Sequence, residues 1–160
     1  MQNLGMDFGR VIQGGAGPDG APDTNFLGTR LEEAINSPAT PGAFEIIPQL
    51  VAHFEGRVWI ISKCGEGVQR KTLAWLDHHD FYALTGIPKR NVRFCRERAD
   101  KAIHCSKLKI THMIDDRLDV HRAIREIVPN RYLFGPQQGE VPPWVIHTPD
   151  WTSVATHIIG

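Results

Sequence analysis

Short apolar runs of strand length, each followed by a segment of helical period, recur along this chain, and that alternation restricts the fold more than any other feature. Leu4-Gly5-Met6 opens it and ends on Asp7-Phe8-Gly9. Arg57-Val58-Trp59-Ile60-Ile61 is a continuous apolar run that finishes at Ser62, and Val92–Cys95, Ile110–Ile114 and Tyr132–Phe134 follow, the fourth run delivering Asp115-Asp116. Between the runs, Phe44, Ile47, Leu50, Val51 and Phe54 recur at the spacing of one helix face, as do Val68, Thr72, Trp75, Leu76 and His79, and then Val120, Ile124 and Ile127. Shorter helices are expected over 29–35 and 100–107, and a last one over 151–158 begun by Pro149. Pro48 removes an internal hydrogen bond from the second helix unless it sits in the first turn, so the start of that helix is open. Strands alternating with helices in this way form a mainly parallel sheet covered by helices on both faces, an α/β sandwich of three layers.

A chain of 160 residues with 41% hydrophobic side chains can bury one core unaided, so a single domain over 1–160 is expected. Its 18 basic and 18 acidic residues cancel, which leaves no global field to draw nucleic acid or an acidic membrane surface. No stretch approaches the roughly 18 consecutive apolar residues of a membrane span, and the first residues lack the basic-then-apolar pattern of a secretory signal. A cytoplasmic location is expected. The three cysteines, Cys64, Cys95 and Cys105, form no CxxC pair and are odd in number, which argues against a disulfide framework. No spacing of His and Cys matches a structural zinc site. Residues 13–25 are dense in Gly, Pro, Asp and Ala and read as a loop.

In open parallel sheets ligands bind beyond the carboxyl ends of the strands, where loops and helix starts converge. Asp7, Ser62 and Asp115-Asp116 each follow an apolar run at that end, and Lys101 lies near the start of the helix before the fourth run. Taken singly, each has a plain structural reading: an Asp or Ser after a strand is often a helix cap or turn residue, and Lys101 competes with Lys63, Lys107 and Lys109. Their order along the chain favours a shared site.

That order resembles the four motifs of the haloacid dehalogenase-like superfamily, present here as Met6-Asp7-Phe8-Gly9-Arg10-Val11-Ile12, Ile60-Ile61-Ser62, Lys101 and Ile114-Asp115-Asp116-Arg117, a similarity spanning residues 4–135. The resemblance implies a Rossmann-like sheet, Mg²⁺, a phosphorylated substrate and, most often, phosphoryl transfer through an aspartyl-phosphate. Carried over residue by residue, it makes Asp7 the nucleophile and first metal ligand, the Gly9 carbonyl a second ligand, and Asp116, with or without Asp115, the rest of a hard oxygen shell. Ser62 would hydrogen-bond the transferring phosphoryl group, and Lys101 would offset the charge of phosphate and Asp7. Asp119 would support the shell from the following helix.

One position departs from the pattern. Phosphatases of this family usually carry a second aspartate two residues after the nucleophile, which protonates the leaving oxygen and then activates water; here that residue is Gly9. General acid-base assistance is worth about a hundredfold to ten-thousandfold. Three explanations stay open: a leaving group that needs little protonation, an acid from elsewhere (Asp19, Asp23 or His104), or a domain that binds a phosphorylated ligand or protein partner without turnover. Residues 13–41 occupy the place where larger relatives insert a cap domain, and they are too few for an independent core. An open site is the expectation, suited to a bulky substrate or closed by a second copy of the chain.

Overall fold

The computed structural model describes residues 1–14 and 30–160. Six parallel strands form one sheet in the order β3-β2-β1-β4-β5-β6: β1 (Leu4–Met6), β2 (Val58–Lys63), β3 (Val92–Cys95), β4 (His112–Asp115), β5 (Asn130–Phe134) and β6 (Ile146–Thr148). The chain begins at the centre, builds outward through β2 and β3, then returns to place β4 on the other side of β1. The strand order therefore reverses between β1 and β4, and a crevice opens at their carboxyl ends.

Alternating side chains sort the core into two faces. Leu4, Met6, Ile60, Ile114 and Phe134 point to the larger cluster, where they meet Ile47 and Leu50 of α2 (Ala43–His53), Trp75 and Leu76 of α3 (Glu66–His78) and Trp151 of α7 (Trp151–Ile158). Ile61 and Met113 point the other way, onto Cys105 of α5 (Lys101–Lys107) and onto Ile124 just past α6 (Leu118–Ala123). The remaining helices are α1 (Leu31–Asn36) and α4 (Phe81–Thr85). Helices cover both faces, as the alternation of the sequence implies. Gly5 faces the second layer, and a Cβ there would stand 2.9 Å from Met113 Sδ and 3.1 Å from Ile61 Cδ1. The central strand is thinned at that point so that its neighbours close over it.

Four details differ from the sequence reading. Pro48 lies inside α2, beyond its first turn, and the helix persists because Ala43, Ile47 and Leu50 are buried along one side. The cap of α7 is Asp150, whose carboxylate accepts the Ser153 N–H at 2.8 Å, with Pro149 one residue before it. Strand β6 and helix α4 have no counterpart in the expected elements. The expected loop over 13–25 and the insertion over 13–41 fall largely outside the described residues, but their flanks are tied together: Gly14 N–H donates to Pro38 O and Thr40 N–H to Ile12 O, each at 2.8 Å. No helix among the described residues is long and apolar enough to cross a membrane.

Candidate active site

The first wall of the crevice grows from the end of β1. Asp7 N–H donates to Ile114 O at 2.9 Å, which extends the ladder with β4 by one residue and fixes the Asp7 backbone. The chain then turns sharply: the Phe8 carbonyl accepts from Val11, Ile12 and Gln13, and Arg10 takes a left-handed conformation (φ 64°) with its N–H bonded to Gln13 O at 2.8 Å. Val11 and Ile12 are fully buried, and Trp151 Nε1 donates to Val11 O at 2.8 Å, so this turn is anchored to the core from α7. Its exposed edge presents Gly9 and Arg10 to the cleft.

The second wall is the end of β4. Asp115 is wholly buried, and both of its oxygens are engaged: Oδ2 accepts from Lys101 Nζ at 2.7 Å and Oδ1 from the Arg117 N–H at 3.0 Å. Lys101, itself buried, places the same Nζ 3.0 Å from Asp7 Oδ1. Burial alone would lower the pKa of this lysine; Asp115 and Asp7 outweigh burial and hold it above its ordinary value, so the ammonium stays charged. Of the lysines that competed in the sequence, Lys63, Lys107 and Lys109 are exposed, and Lys101 is the one that reaches the carboxylates.

Asp116 follows, lining the cleft. Carboxylate oxygens of Asp7, Asp115 and Asp116 lie within 4.8 Å of one another. Burial pushes the Asp116 carboxyl above the usual range, and the negative charges of Asp7 and Asp115 push it further; Asp115 is raised by burial as well, against the pull of Lys101. Three carboxyl groups with one ammonium among them make it costly to ionise all three at once. A divalent cation relieves that cost, and a donor set of oxygens alone suits a hard ion such as Mg²⁺. The residues present fit the metal implied by the four motifs.

A cleft of about 160 Å³ gathers Asp7, Gly9, Ser62, Lys101 and Asp116, with Asp115 beneath it. Ser62 comes from the carboxyl end of β2, the neighbour of β1. Cys64 lines the same wall, and burial pushes its thiol up to about 11, so it is protonated at neutral pH. Among the described residues, an added Cβ at Gly9 would meet nothing within 4 Å. Asp119 does not join the acidic group; it pairs with Arg98 at 3.2 Å. His104 does not line the cleft, and Asp19 and Asp23 lie outside the described residues.

Two residues that hold the site were not singled out by the sequence. His121, fully buried, bonds through Nε2 to the Asp115 carbonyl at 2.9 Å, and burial pushes its pKa down to about 4, so the ring is neutral. Its signal was its place beside Val120 and three residues before Ile124, on the inward side of α6. Gln137 Nε2 donates to Asp116 O at 3.3 Å and to Phe134 O at 3.2 Å, joining the ends of β4 and β5. It sits in a stretch without period and gave no signal.

No family model and no curated protein matches the sequence. The fold does find similar solved structures. A haloacid dehalogenase-like family hydrolase from Xanthomonas campestris superposes with a TM-score of 0.65 at 13% identity, over 98% of this chain and 95% of that one. A haloacid dehalogenase-like hydrolase from Burkholderia xenovorans LB400 gives a TM-score of 0.61 at 13% identity, over 98% and 96%. At that identity the likeness is one of architecture, and it agrees with the motif order read from the sequence: the chain has the fold of haloacid dehalogenase-like hydrolases.

Proposed function

We propose that this protein is a Mg²⁺-dependent phosphohydrolase of the haloacid dehalogenase-like type, working in the cytoplasm through an aspartyl-phosphate on Asp7. The observation that carries the reading is the placement of Asp7 at the point where strand order reverses, with Oδ1 3.0 Å from a buried ammonium and in one cleft with Asp116 and Ser62. A phosphate monoester is a dianion that repels a carboxylate nucleophile, so its charge must be offset before attack. Asp7, Asp116 and the Gly9 carbonyl would hold Mg²⁺, which when bound supplies charge neutralisation and polarises the phosphoryl oxygens. Lys101 offsets charge from the other side; Ser62 donates to a phosphoryl oxygen. Asp115 enters this reading from below, as the group that aims Lys101. Asp7 then attacks phosphorus, and water cleaves the resulting acyl phosphate.

Phosphate release from 4-nitrophenyl phosphate, with and without Mg²⁺, tests the proposal. Turnover should require the metal and vanish in Asp7→Asn; equal activity in that variant would remove Asp7 from the chemistry. Gly9 favours one other reading, a domain that binds a phosphorylated ligand and does not turn it over. Binding across a panel of phosphorylated compounds with no phosphate released from any would support that reading instead.

A further inference from the structure

Beside the cleft that holds Asp7 lies a second, larger one of about 400 Å³, walled by the loop after β5 and by the start of α6. The two share Arg10, Asp116 and Arg117, so the wall common to both clefts carries two arginines and one carboxylate. Neither arginine forms an ion pair among the described residues. The other acid facing the larger cleft, Asp119, is already paired with Arg98, and Asp116 belongs to the acidic group around Asp7. Among the described residues the junction thus sets two arginines against one carboxylate, Asp116. Arg10 is aimed there by a left-handed backbone that its own N–H bond to Gln13 maintains.

A second, independent observation concerns the same end of the reaction. At position 9, the place from which an acid would protonate the leaving oxygen, there is a glycine whose added Cβ would meet nothing within 4 Å among the described residues. A site with no acid at position 9 but two arginines on its wall suits a leaving group that departs as an anion. We infer that the substrate is a diphosphate, a phosphoanhydride whose terminal phosphoryl group goes to Asp7 and whose leaving phosphate is received between Arg10 and Arg117. The inference rests on the phosphohydrolase reading and narrows it. As the bond from an Asp7 carboxylate oxygen to the terminal phosphorus forms, the bond from that phosphorus to the bridging oxygen breaks. The electron pair stays on the bridging oxygen and spreads over the leaving phosphate, where charge-assisted hydrogen bonds from the two guanidinium groups meet it. Water then attacks the phosphorus of the aspartyl-phosphate, inorganic phosphate departs, Asp7 is restored and one proton passes to solvent.

The test compares two substrates with leaving groups of similar basicity and different charge: inorganic pyrophosphate and 4-nitrophenyl phosphate, both with Mg²⁺. The full chain should prefer pyrophosphate. Arg10→Gln and Arg117→Gln should each lower kcat/KM for pyrophosphate by about tenfold to a hundredfold, the scale of a lost hydrogen bond to a charged group. Loss on 4-nitrophenyl phosphate should stay below about threefold, and Arg10→Lys and Arg117→Lys should recover part of the pyrophosphate activity, since charge is kept and the fork is lost. Equal loss on both substrates would overturn the inference, because the arginines would then serve the transferred phosphoryl group or the fold. So would turnover of 4-nitrophenyl phosphate with none of pyrophosphate, an outcome that leaves the phosphohydrolase reading intact. Failure on both substrates in the presence of Mg²⁺ would remove both ideas together.

Discussion

Substituting Gly9 by aspartate should turn the protein into a general phosphomonoesterase. The position tolerates the change: the backbone there is not in a left-handed conformation that favours glycine, and among the described residues nothing beyond its chain neighbours lies within 4 Å of the added Cβ. The new carboxylate would enter a cleft that already holds Asp7 and Asp116, and its neighbours' negative charge would raise its pKa, which keeps a share of it protonated near neutrality. That is the state required of an acid that protonates a leaving alkoxide. A positioned general acid contributes about a hundredfold to ten-thousandfold, or roughly 2.7 to 5.5 kcal/mol of barrier.

The assay is kcat for a pair of substrates, an alkyl phosphate and 4-nitrophenyl phosphate, measured against pH in Mg²⁺. Gly9→Asp should raise turnover of the alkyl phosphate by at least about a hundredfold and leave the aryl phosphate nearly unchanged, because nitrophenolate departs without a proton. The alkyl rate should also gain an alkaline limb, falling as the new acid ionises. Two results refute the reasoning. If the native chain already hydrolyses alkyl and aryl phosphates at similar rates, an acid is supplied from elsewhere; if Gly9→Asp changes both substrates equally, the new group acts on the metal or the fold and not on the leaving oxygen.

Mg²⁺ at about one hundred times its Kd should stabilise the protein by about 2.7 kcal/mol in chemical denaturation, and Asp116→Asn should abolish most of that gain; equal stabilisation of the variant would place the metal elsewhere. Gly5→Val should lower stability by about 1 to 3 kcal/mol, since its Cβ would meet Met113 Sδ at 2.9 Å, and an unchanged Tm would show that the second layer yields freely. His121 is depressed by burial to about 4 in the fold against an ordinary value of 6.5, so the unfolded chain binds its proton more readily. Its contribution, no more than about 3 kcal/mol, is complete above pH 6.5 and is lost as pH falls toward 4. The stability difference between the native chain and His121→Gln should therefore shrink across that window, and a difference independent of pH would mean that the ring is not held neutral.

The parts of the fold that were legible are those whose burial leaves a signature along the chain. β2 and β4 lie in the interior of the sheet, covered on both faces; Val58-Trp59-Ile60-Ile61 is apolar throughout and Met113-Ile114 ends the run of β4, so both left a signal. β6 is an edge strand of three residues, Ile146-His147-Thr148, of which only Thr148 is buried; a strand with one neighbour needs no apolar run. α4 has five residues, too few to display a helical period. Within the site, Asp7, Ser62 and the Asp115-Asp116 pair were legible because polar residues directly after an apolar run are a local pattern. The link between Lys101 and Asp7 came from the motif resemblance alone, and the pairing of Lys101 with Asp115 left no signal, because no spacing along the chain encodes the 2.7 and 3.0 Å contacts. Gln137 illustrates the limit: its role depends on two carbonyls brought together by the pairing of β4 with β5.

The register of the two central strands accounts for why one ammonium can serve both carboxylates. Met6 pairs with Ile114, and both point into the larger core; Gly5 pairs with Met113 and faces the second layer. Alternation then sends Asp7 and Asp115, the next residue on each strand, toward the second layer as well. α5 lies on that side, anchored by Cys105, and Lys101 stands one helical turn before Cys105 on the same face of the helix. Nζ therefore arrives between the two carboxylates by construction. Asp116, one residue further along, alternates away from the lysine and into the cleft, where an oxygen shell can form. A slip of one residue between β1 and β4 would turn one of the two buried aspartates to the opposite face, leaving Lys101 with a single partner and a buried charge uncompensated. The same pairing that builds the core thus sets the electrostatics of the site, and Lys101 closes only when Met6 stands beside Ile114.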